Sequence, residues 1–515
     1  MDGDHVGRRR TGRRAARGAR HYASRMHQLS EQPSSGPVEP LVVGFDLDMT
    51  LIDSRPGIHA VFTALAAETG APIDADAVVT RLGPPLDEEL ARWFPADRVA
   101  PMADRFRELY PDLAVEPTPA LPGAAEALAA VHRHTGRSVV ITAKYEPNAR
   151  LHLDHLELRP DAVVGWRWGD GKAAALVEHA AAVYVGDHAA DMRAAVSAGV
   201  VGVGVATGPV DADELRAAGA TVVLEDLSGF PEWLDEFVLQ RRLVDLRRRL
   251  DDLGSVLVAF SGGADSAFLL AAAVESLGPF QVVAATAVSH SLASGELDDA
   301  KAFAEALGVR HLSPRTYELA RDGYRANGGD RCYFCKAELI EVLRPVAASL
   351  SIKHIVTGTN ADDVVAGFRP GIRAAAERGA LTPLLDAGLT KAQVREASRR
   401  MGLPTWDKPA AACLSSRIAF GLEISRDRLE RVDRAEAGVR AALKDAGIEV
   451  RNLRVRDLGD HARLEVDPDV VEWVALCEEA SDAVLAAGFA SVELDERGFR
   501  SGSLNEQLVE PERYR

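Results

Sequence analysis

The feature that most constrains the fold is a strand, a glycine-paired loop and a helix that follow one another between residues 256 and 273. The run Val256–Phe260 is apolar throughout, as in a strand that a parallel sheet buries on both faces. It leads into the loop Ser261–Ser266, with the sequence SGGADS, and the apolar run Ala267–Ala273 favours a helix. Because paired glycines let the backbone approach an anion and the first amides of a helix point toward it, the pattern predicts a phosphate-binding loop. The alternative is an ordinary glycine-rich turn.

A second strand places two aspartates where open α/β sheets hold their sites. The apolar run Leu41–Phe45 ends at Asp46, and Asp48 follows two residues later. Two carboxylates at the carboxyl end of a strand can share one metal ion and one phosphoryl group. Other polar residues follow further apolar strands or lie between them, and these are Thr142, Lys172, Asp187 and Asp191.

Length, charge and cysteine content limit the class of protein. A chain of 515 residues is too long for one hydrophobic core, so several domains are expected. It contains no apolar run near the roughly 20 residues that a membrane span requires, which argues against a membrane protein. A net charge of −17 argues against a large nucleic-acid interface. The four cysteines do not form a disulfide framework, and we expect a cytoplasmic protein in a reducing compartment.

The polar residues at the ends of the N-terminal strands resemble the motifs of the haloacid dehalogenase superfamily, over roughly residues 40 to 230. The resemblance implies that Asp46 takes the phosphoryl group as nucleophile and that Asp48 is the general acid and base. It implies that Thr142 and Lys172 hold the transferring phosphate. It also implies a bound Mg²⁺, whose ligands would be Asp46, Asp187, Asp191 and the backbone carbonyl of Asp48. The alternative is that these carboxylates only cap loops.

Residues 54 to about 118 interrupt the sheet pattern with helical periodicity, as at Ile58, Val61 and Leu65. We expect them to form a helical cap over the site. In the superfamily that this region resembles, the cap selects the substrate. The resemblance implies a Mg²⁺-dependent phosphatase that acts on a small phosphorylated metabolite.

The cysteines of the C-terminal half indicate thiol or metal chemistry. Cys332 and Cys335 form a CxxC pair, and Cys413 lies far downstream in the segment Trp406–Arg417. A CxxC pair alone fits half a zinc site, a redox dithiol or a chance pairing. Three thiolates suit a [4Fe–4S] cluster with one iron left open for an extra sulfide. The fourth cysteine, Cys477, follows an apolar helical run and is expected in the core.

The loop Ser261–Ser266 resembles the SGGxDS loop of the PP-loop ATP pyrophosphatases, which split ATP between its α and β phosphates. Together with Arg331–Lys336, Phe368–Gly371 and Trp406–Arg417, it resembles the ATP-dependent sulfur transferases of the LarE family, from about residue 240 onward. The resemblance implies a pyridinium-3,5-biscarboxylate mononucleotide as substrate, in the synthesis of a nickel-pincer nucleotide cofactor. ATP would adenylate a carboxylate, pyrophosphate would leave, and sulfur would displace AMP to give a thiocarboxylate.

Strands are predicted at Val282–Val288 and His354–Val356, and the second precedes the loop that begins at Gly358. We interpret this loop as the second wall of the nucleotide site, with Asp362 or Asp363 near Mg²⁺. The residues expected to hold ATP are Ser261, Gly262, Gly263, Asp265, Ser266, Gly358 and Asp362.

Arg454 and Arg456 are two residues apart on a predicted strand, so their side chains share one face. The family resemblance implies that they bind the substrate phosphate, close to Asp495, Arg497 and Arg500. The alternative is an exposed charge pair on an edge strand.

The origin of the sulfur has two alternatives. In family members without the CxxC pair, the cysteine that matches Cys413 gives up its own sulfur and becomes dehydroalanine. Because Cys332 and Cys335 accompany it here, we favour the variant in which all three cysteines bind a [4Fe–4S] cluster and the sulfide is replenished.

The expected fold class is α/β, with two doubly wound parallel-sheet domains and a small C-terminal α+β subdomain. The first domain is expected to be Rossmann-like with a helical cap, and the second to resemble the adenine nucleotide α-hydrolases. The expected segments are a disordered basic tail (1–38), the hydrolase domain (39–235), the ATP pyrophosphatase domain (238–420) and a substrate-binding or oligomerisation subdomain (421–515).

These expectations describe a fusion of two enzymes, with a small nucleotide as substrate, no nucleic-acid or membrane partner, and homo-oligomeric assembly. One alternative is a tRNA-thiolating enzyme, against which the acidic charge balance counts. Another is that one of the two modules has no catalytic role.

Overall fold

The structure of the protein is a computed structural model that describes residues 40–82, 85–365, 369–409 and 412–500. The basic tail 1–38 and Phe368 lie outside the described residues. The chain divides into two compact units between Gln240 and Arg241. No helix within the described ranges combines the length and the apolarity that crossing a membrane requires.

The first unit is built on a parallel sheet. Its strands are β1 Val42–Phe45, β2 Arg137–Ile141, β3 Ala162–Val164, β4 Val183–Gly186, β5 Val201–Val205 and β6 Val222–Leu224. Among the described residues these six strands lie in the order β3-β2-β1-β4-β5-β6. The order reverses between β1 and β4, so the loops after these two strands open a crevice at the carboxyl edge of the sheet.

Both faces of this sheet are covered. Alternate residues of a strand point to opposite faces, and neighbouring Val42 and Val43 belong to two separate apolar clusters. Helix Ala124–Arg133 precedes β2. The helices that connect β2 to β3, β3 to β4, β4 to β5 and β5 to β6 are, in that order, Glu146–His155, Asp170–Glu178, Ala189–Ala198 and Ala212–Ala217. Helix Phe230–Leu253 then continues across the boundary between the two units.

A separate helical segment is inserted between β1 and β2. Its helices are Arg55–Thr69, Ala75–Val79, Leu86–Leu90 and Ala96–Leu113. They have an apolar core of their own, in which the ring of Phe106 lies 5.0 Å from that of Phe62 and 5.6 Å from that of Tyr110. The helical periodicity of the sequence thus corresponds to a small helical bundle that follows the first aspartate loop.

The second unit contains a second parallel sheet. Its strands are β7 Val256–Ala259, β8 Val282–Ala285, β9 Arg310–Leu312 and β10 His354–Thr357, and within the described residues these four have the order β10-β7-β8-β9. The reversal of strand order here lies between β7 and β10. The strand expected at Val282–Val288 is shorter than predicted, because beyond Ala285 only an isolated bridge pairs Val288 with Arg315.

Helices connect these strands and continue beyond them. They are Ala264–Leu277, Glu296–Ala306, Asp322–Arg325, Arg331–Ser349, Ala361–Val365, Pro370–Glu377, Pro383–Asp386 and Lys391–Arg400. The α/β fold class with two parallel sheets, which the sequence predicts, is confirmed.

A small mixed sheet completes the second unit. Its strands are β11 Leu453–Asp457, β12 His461–Val466 and β13 Ser491–Leu494, with β11 antiparallel and β13 parallel to β12. Helices Arg426–Asp445, Val471–Ala475 and Glu478–Ala486 accompany it. Their apolar cluster includes Cys477, which is 6% exposed, so the prediction that this cysteine belongs to the core is confirmed.

A buried ion pair ties the segment after Cys413 to this subdomain. Arg417, at the end of the short 3₁₀ helix Leu414–Arg417, donates two parallel hydrogen bonds of 2.9 and 3.1 Å to Glu436. Both side chains are less than a tenth exposed. Glu436 also accepts a hydrogen bond of 3.1 Å from the amide of Val455 in β11. The pair therefore joins the 3₁₀ helix, helix Arg426–Asp445 and the small sheet.

Removing the charge of Glu436 should therefore destabilise the second unit strongly. We expect Glu436→Gln to lower its free energy of unfolding by about 3 kcal/mol, because the Arg417 charge stays buried without its partner. Urea titration, with hydrogen exchange in helix Arg426–Asp445 as the readout, measures this free energy of unfolding. Glu430→Gln is a matched control on the same helix, because Glu430 pairs with Arg426 at the exposed surface. Equal stability of the two variants would contradict the prediction.

Candidate active sites

The loops after β1 and β4 bring three carboxylates together. Asp46 follows β1, Asp187 follows β4, and Asp191 lies in the first turn of helix Ala189–Ala198. One oxygen of each lies within 4.8 Å of the others, and all three residues are buried. Such hard oxygen ligands fit Mg²⁺, which binds carboxylate and phosphate oxygens. Elsewhere in the described residues, no group of three acidic, histidine or cysteine side chains meets this distance.

Lys172 is the cation of this cluster and is 1% exposed. Its Nζ lies 2.8 Å from Oδ2 of Asp46 and 2.6 Å from Oδ1 of Asp191. Burial raises the pKa of Asp46 to about 7, against the opposing charge of Lys172 and with a further contribution from Asp191. One lysine does not balance three buried carboxylates, so a divalent cation would complete the charge balance of the cluster.

Asp48 lies in the same loop as Asp46 but pairs with a different cation, Lys144. The two side chains are 2.9 Å apart, and Lys144 also donates a hydrogen bond of 2.6 Å to the hydroxyl of Tyr110 in the helical segment. Burial raises the pKa of Asp48, but the charge and hydrogen bond of Lys144, together with a hydrogen bond from Ser54, outweigh burial and hold the pKa below its usual range. Sequence reasoning missed Lys144. The signal available was its position two residues after Thr142, whose Oγ1 accepts a hydrogen bond of 3.2 Å from the Lys144 amide.

A cavity of about 410 Å³ opens onto this cluster. Four predicted residues line it, and these are Asp46, Asp48, Thr142 and Asp187. The helical segment contributes Ile58, Phe62 and Phe106 to its wall, and Trp166 and Tyr145 contribute aromatic rings. Lys172 and Asp191 are not among the described residues that line it, because they lie behind Asp46 and are almost completely buried.

The loop after β7 folds around its own hydroxyl groups. The Ser266 hydroxyl accepts a hydrogen bond of 3.3 Å from the Ser261 amide and donates one of 3.1 Å to the Gly263 carbonyl. Gly262 has a φ of +72°, a left-handed conformation that favours glycine. Gly358, after β10, lies so close that a Cβ there would be 2.8 Å from the Ser266 amide nitrogen. The reversal of strand order thus packs the two predicted walls of the nucleotide site against each other.

A cavity of about 590 Å³ begins at this loop and extends to the cysteine segment and the small sheet. The residues predicted from the sequence that line it are Ser261, Gly263, Asp265, Ser266, Gly358, Asp363, Cys335, Cys413 and Arg454. Oδ1 of Asp265 is buried without a hydrogen-bond partner among the described residues, and burial raises the pKa of this carboxyl. A buried, unpartnered carboxylate oxygen in the wall fits a cation or a polar group of a bound nucleotide.

The other predicted residues of this site are not among the described residues that line the cavity. Of the two candidate aspartates, Asp363 lies in the cavity wall and Asp362 does not. The side chain of Asp362 instead accepts a hydrogen bond of 2.8 Å from the amide of Lys391. Oδ1 of Asp495 accepts one of 2.9 Å from the amide of Arg497. Gly262, Cys332, Arg456, Arg497 and Arg500 complete this group.

The two arginines of β11 are buried, so the alternative of an exposed charge pair is wrong. Arg454 and Arg456 are 6% and 5% exposed. Arg456 pairs with Glu465 of β12 at 2.7 Å and donates a hydrogen bond of 3.0 Å to the carbonyl of Ser416. Arg454 lies in the cavity wall, where burial and the nearby charge of Arg417 lower its pKa to about 10. The group of arginines around Arg454 fits an anionic ligand.

The cysteines of the CxxC pair lie on one face of helix Arg331–Ser349, because they are three residues apart. Burial raises the pKa of Cys332 and Cys335, and a charge on Cys413 would raise both further. The three sulfur atoms are not within 4.8 Å of one another, as the ligands of one zinc ion would be. Thiolates that bind separate irons of one cluster do not need this proximity.

Hydrogen bonds with Arg417, Tyr324 and Arg331 hold the segment that carries Cys413. Nη1 of Arg417 donates a hydrogen bond of 3.0 Å to the carbonyl of Cys413, and the hydroxyl of Ser415 lies 2.5 Å from that of Tyr324. Arg331, beside the CxxC pair, donates a hydrogen bond of 2.9 Å to the carbonyl of Ser415. These contacts place Cys413, which is exposed, at the wall of the cavity. Sequence reasoning included Arg417 only as the end of a motif.

Comparisons with known proteins agree with this division. The family model of the haloacid dehalogenase-like hydrolases matches residues 43–195, which include the whole acidic cluster. A phosphoglycolate phosphatase of Caulobacter vibrioides is 28% identical over 211 residues, which cover 37% of this chain and 89% of that protein.

Two further relatives each match about half of the chain. The pyridinium-3,5-bisthiocarboxylic acid mononucleotide synthase of Lactiplantibacillus plantarum is 32% identical to the C-terminal region over 261 residues, 50% of this chain and 92% of that protein. Protein slr1717 of Synechocystis sp. is 40% identical over 275 residues, 53% of this chain and 100% of that protein. The chain therefore belongs, through its C-terminal region, to the LarE family of ATP-dependent sulfur transferases, fused to an N-terminal haloacid dehalogenase-like hydrolase domain.

Proposed function

We propose that the second unit converts a carboxylate of pyridinium-3,5-biscarboxylate mononucleotide into a thiocarboxylate. The observation that carries this is the single cavity of about 590 Å³, which is lined by the loop Ser261–Ser266, Cys413 and Arg454. ATP phosphates would lie on the loop amides, and the substrate phosphate would pair with Arg454. The substrate carboxylate would then lie between the α-phosphate and Cys413.

The reaction has two steps in this arrangement. The substrate carboxylate oxygen attacks the α-phosphorus of ATP, the bond between the α and β phosphates breaks, and pyrophosphate leaves. A sulfide held beside Cys413 then attacks the acyl carbon, and the bond to AMP breaks, which leaves a thiocarboxylate and AMP. Adenylation is needed because a free carboxylate is a poor electrophile. The buried Arg417 holds the Cys413 carbonyl and so fixes the position of the sulfur-bearing residue.

We propose that the sulfur comes from an iron–sulfur cluster on Cys332, Cys335 and Cys413. What supports this is the position of the CxxC pair on one helical face, close enough for a charge on Cys413 to affect both thiols. A [4Fe–4S] cluster would supply an open iron that holds an exchangeable sulfide. The alternative remains the transfer of the Cys413 sulfur itself.

The cluster proposal predicts a loss of iron in specific cysteine variants. Cys413→Ser, Cys332→Ser and Cys335→Ser should each lower the iron and sulfide content of the anaerobically purified full chain. Cys477→Ala should retain it, because Cys477 lies in the apolar core. Mass measurement after turnover with ATP and substrate should show an unchanged protein. A protein that has lost one sulfur at Cys413 would contradict the cluster and support sacrificial transfer.

We propose that the first unit hydrolyses a phosphomonoester through an aspartyl-phosphate intermediate. The Asp46 carboxylate attacks phosphorus while the bond to the ester oxygen breaks, and Asp48 gives a proton to the leaving oxygen. Water then attacks the intermediate, and Asp48 takes the proton from it. Lys144 favours the carboxylate form that this second step needs. Mg²⁺ on the acidic cluster would neutralise charge on the phosphoryl oxygens.

The phosphatase proposal predicts that activity depends on Asp46. Asp46→Asn should lower the hydrolysis of p-nitrophenyl phosphate by roughly a thousandfold or more, because an amide is not a nucleophile toward phosphorus. EDTA should have the same effect, and added Mg²⁺ should reverse it. Asp154→Asn is the control, since Asp154 is exposed and pairs only with the surface residue Arg159 among the described ion pairs. Full activity of Asp46→Asn would refute the mechanism.

A further inference from the structure

We propose that the first unit hydrolyses nucleoside 5′-monophosphates, and that Trp166 is the surface on which the base stacks. The inference rests on the phosphatase activity proposed above and names the class of its substrate. Its chemistry is the addition of one water molecule: the ester bond breaks, the nucleoside keeps the oxygen with a proton, and orthophosphate is released.

Trp166 is unusual in both exposure and backbone conformation. Its side chain is 61% exposed, and its φ is +55°, in the left-handed region that bulky residues rarely adopt. The amide of Trp166 donates a hydrogen bond of 3.0 Å to the carbonyl of Lys144, and a Cβ on neighbouring Gly165 would meet Glu146 at 2.5 Å. Neighbouring structure thus holds a strained residue in place, which is typical of functional positions.

The ring of Trp166 forms an aromatic wall of the cavity with Tyr145. The two ring centroids are 5.2 Å apart, and the guanidinium of Arg107 lies 5.7 Å from the Trp166 ring and 5.9 Å from the Tyr145 ring. All three residues line the cavity that contains Asp46. A partly exposed ring with a cation beside it is a surface on which a flat heterocycle stacks.

The remaining walls favour a large and uncharged organic group. Apolar side chains from the helical segment face a cavity of about 410 Å³, within the roughly 300–1,000 Å³ that ligands of nucleotide size occupy. The two arginines of the wall are already paired, Arg81 with Glu89 at 2.7 Å and Arg107 with Asp104 at 2.8 Å. A second anionic group on the substrate would have to compete with Glu89 and Asp104 for these arginines. The walls therefore suit a neutral base better than a carboxylated ring.

This substrate class matches a product of the second unit. Adenylation followed by sulfur attack releases AMP, which has a neutral, flat base and one phosphomonoester. Pyrophosphate, the other product, has no organic group to contact the aromatic wall. The chemistry therefore places the first unit after the second, as the enzyme that consumes the released AMP.

The experiment compares phosphate release from five compounds by the full chain with Mg²⁺. These are AMP, ribose 5-phosphate, nicotinate mononucleotide, pyrophosphate and p-nitrophenyl phosphate. We expect kcat/KM for AMP to exceed that for ribose 5-phosphate, which lacks only the base, by about tenfold or more, the range that aromatic stacking supplies. We expect nicotinate mononucleotide to be slower than AMP because its ring carries a carboxylate.

Variants assign the preference to the aromatic wall. Trp166→Ala should reduce the ratio of AMP to ribose 5-phosphate to near one, and Trp166→Phe should restore most of it. Trp473→Ala is the matched control, because Trp473 is 63% exposed in the other unit. Equal rates for AMP and ribose 5-phosphate, with p-nitrophenyl phosphate hydrolysed, would overturn this inference alone. A preference for pyrophosphate or nicotinate mononucleotide over AMP would overturn it too, and no hydrolysis of any compound would overturn the phosphatase proposal itself.

Discussion

Both candidate sites depend on one constraint, the reversal of strand order within each parallel sheet. Where the order of the strands reverses, the loops that follow the two neighbouring strands leave a crevice open between them at the carboxyl edge of the sheet. In the first unit this pair is β1 and β4, which present Asp46 and Asp187. In the second unit it is β7 and β10, which bring Gly358 against Ser266. The chemistry of each unit therefore starts from residues that are distant in sequence and adjacent in space.

Both sites contain buried charged side chains, which need partners of opposite charge. The buried Lys172 pairs with Asp46 and Asp191, and the charge that remains unbalanced once Asp187 is included suits the cluster to a divalent cation. In the second unit, burial and the charges of Arg417, Arg456 and Arg440 lower the pKa of Arg454, while the charge of Glu436 raises it. The first cavity thus suits a divalent cation beside a phosphate, and the arginines of the second suit an anionic group of a ligand.

Local patterns explain how much of this the sequence could predict. An apolar run followed by polar residues is encoded in about ten consecutive positions, so β1 with Asp46 and β7 with Ser261 were both predictable. The contact of Asp48 with Lys144, 96 positions further along the chain, depends on tertiary packing that no local pattern records. The strained backbone of Trp166 is equally a product of packing. Strand β8 ends at Ala285, which pairs with Leu312, the last residue of the neighbouring strand β9.

The two proposed activities are related thermodynamically through AMP, and the fusion keeps them in equal number. Each sulfur transfer produces one AMP, and one chain carries both activities in equal number whatever its expression level. A thiocarboxylate and AMP are the products of the same displacement, so the free energy of that step depends on the AMP concentration. Every tenfold decrease in AMP favours the thiocarboxylate by about 1.4 kcal/mol. A phosphatase with an aromatic wall for a neutral base would therefore drive the adenylated carboxylate toward product, and a phosphatase for an unrelated metabolite would give the fused chain no such advantage.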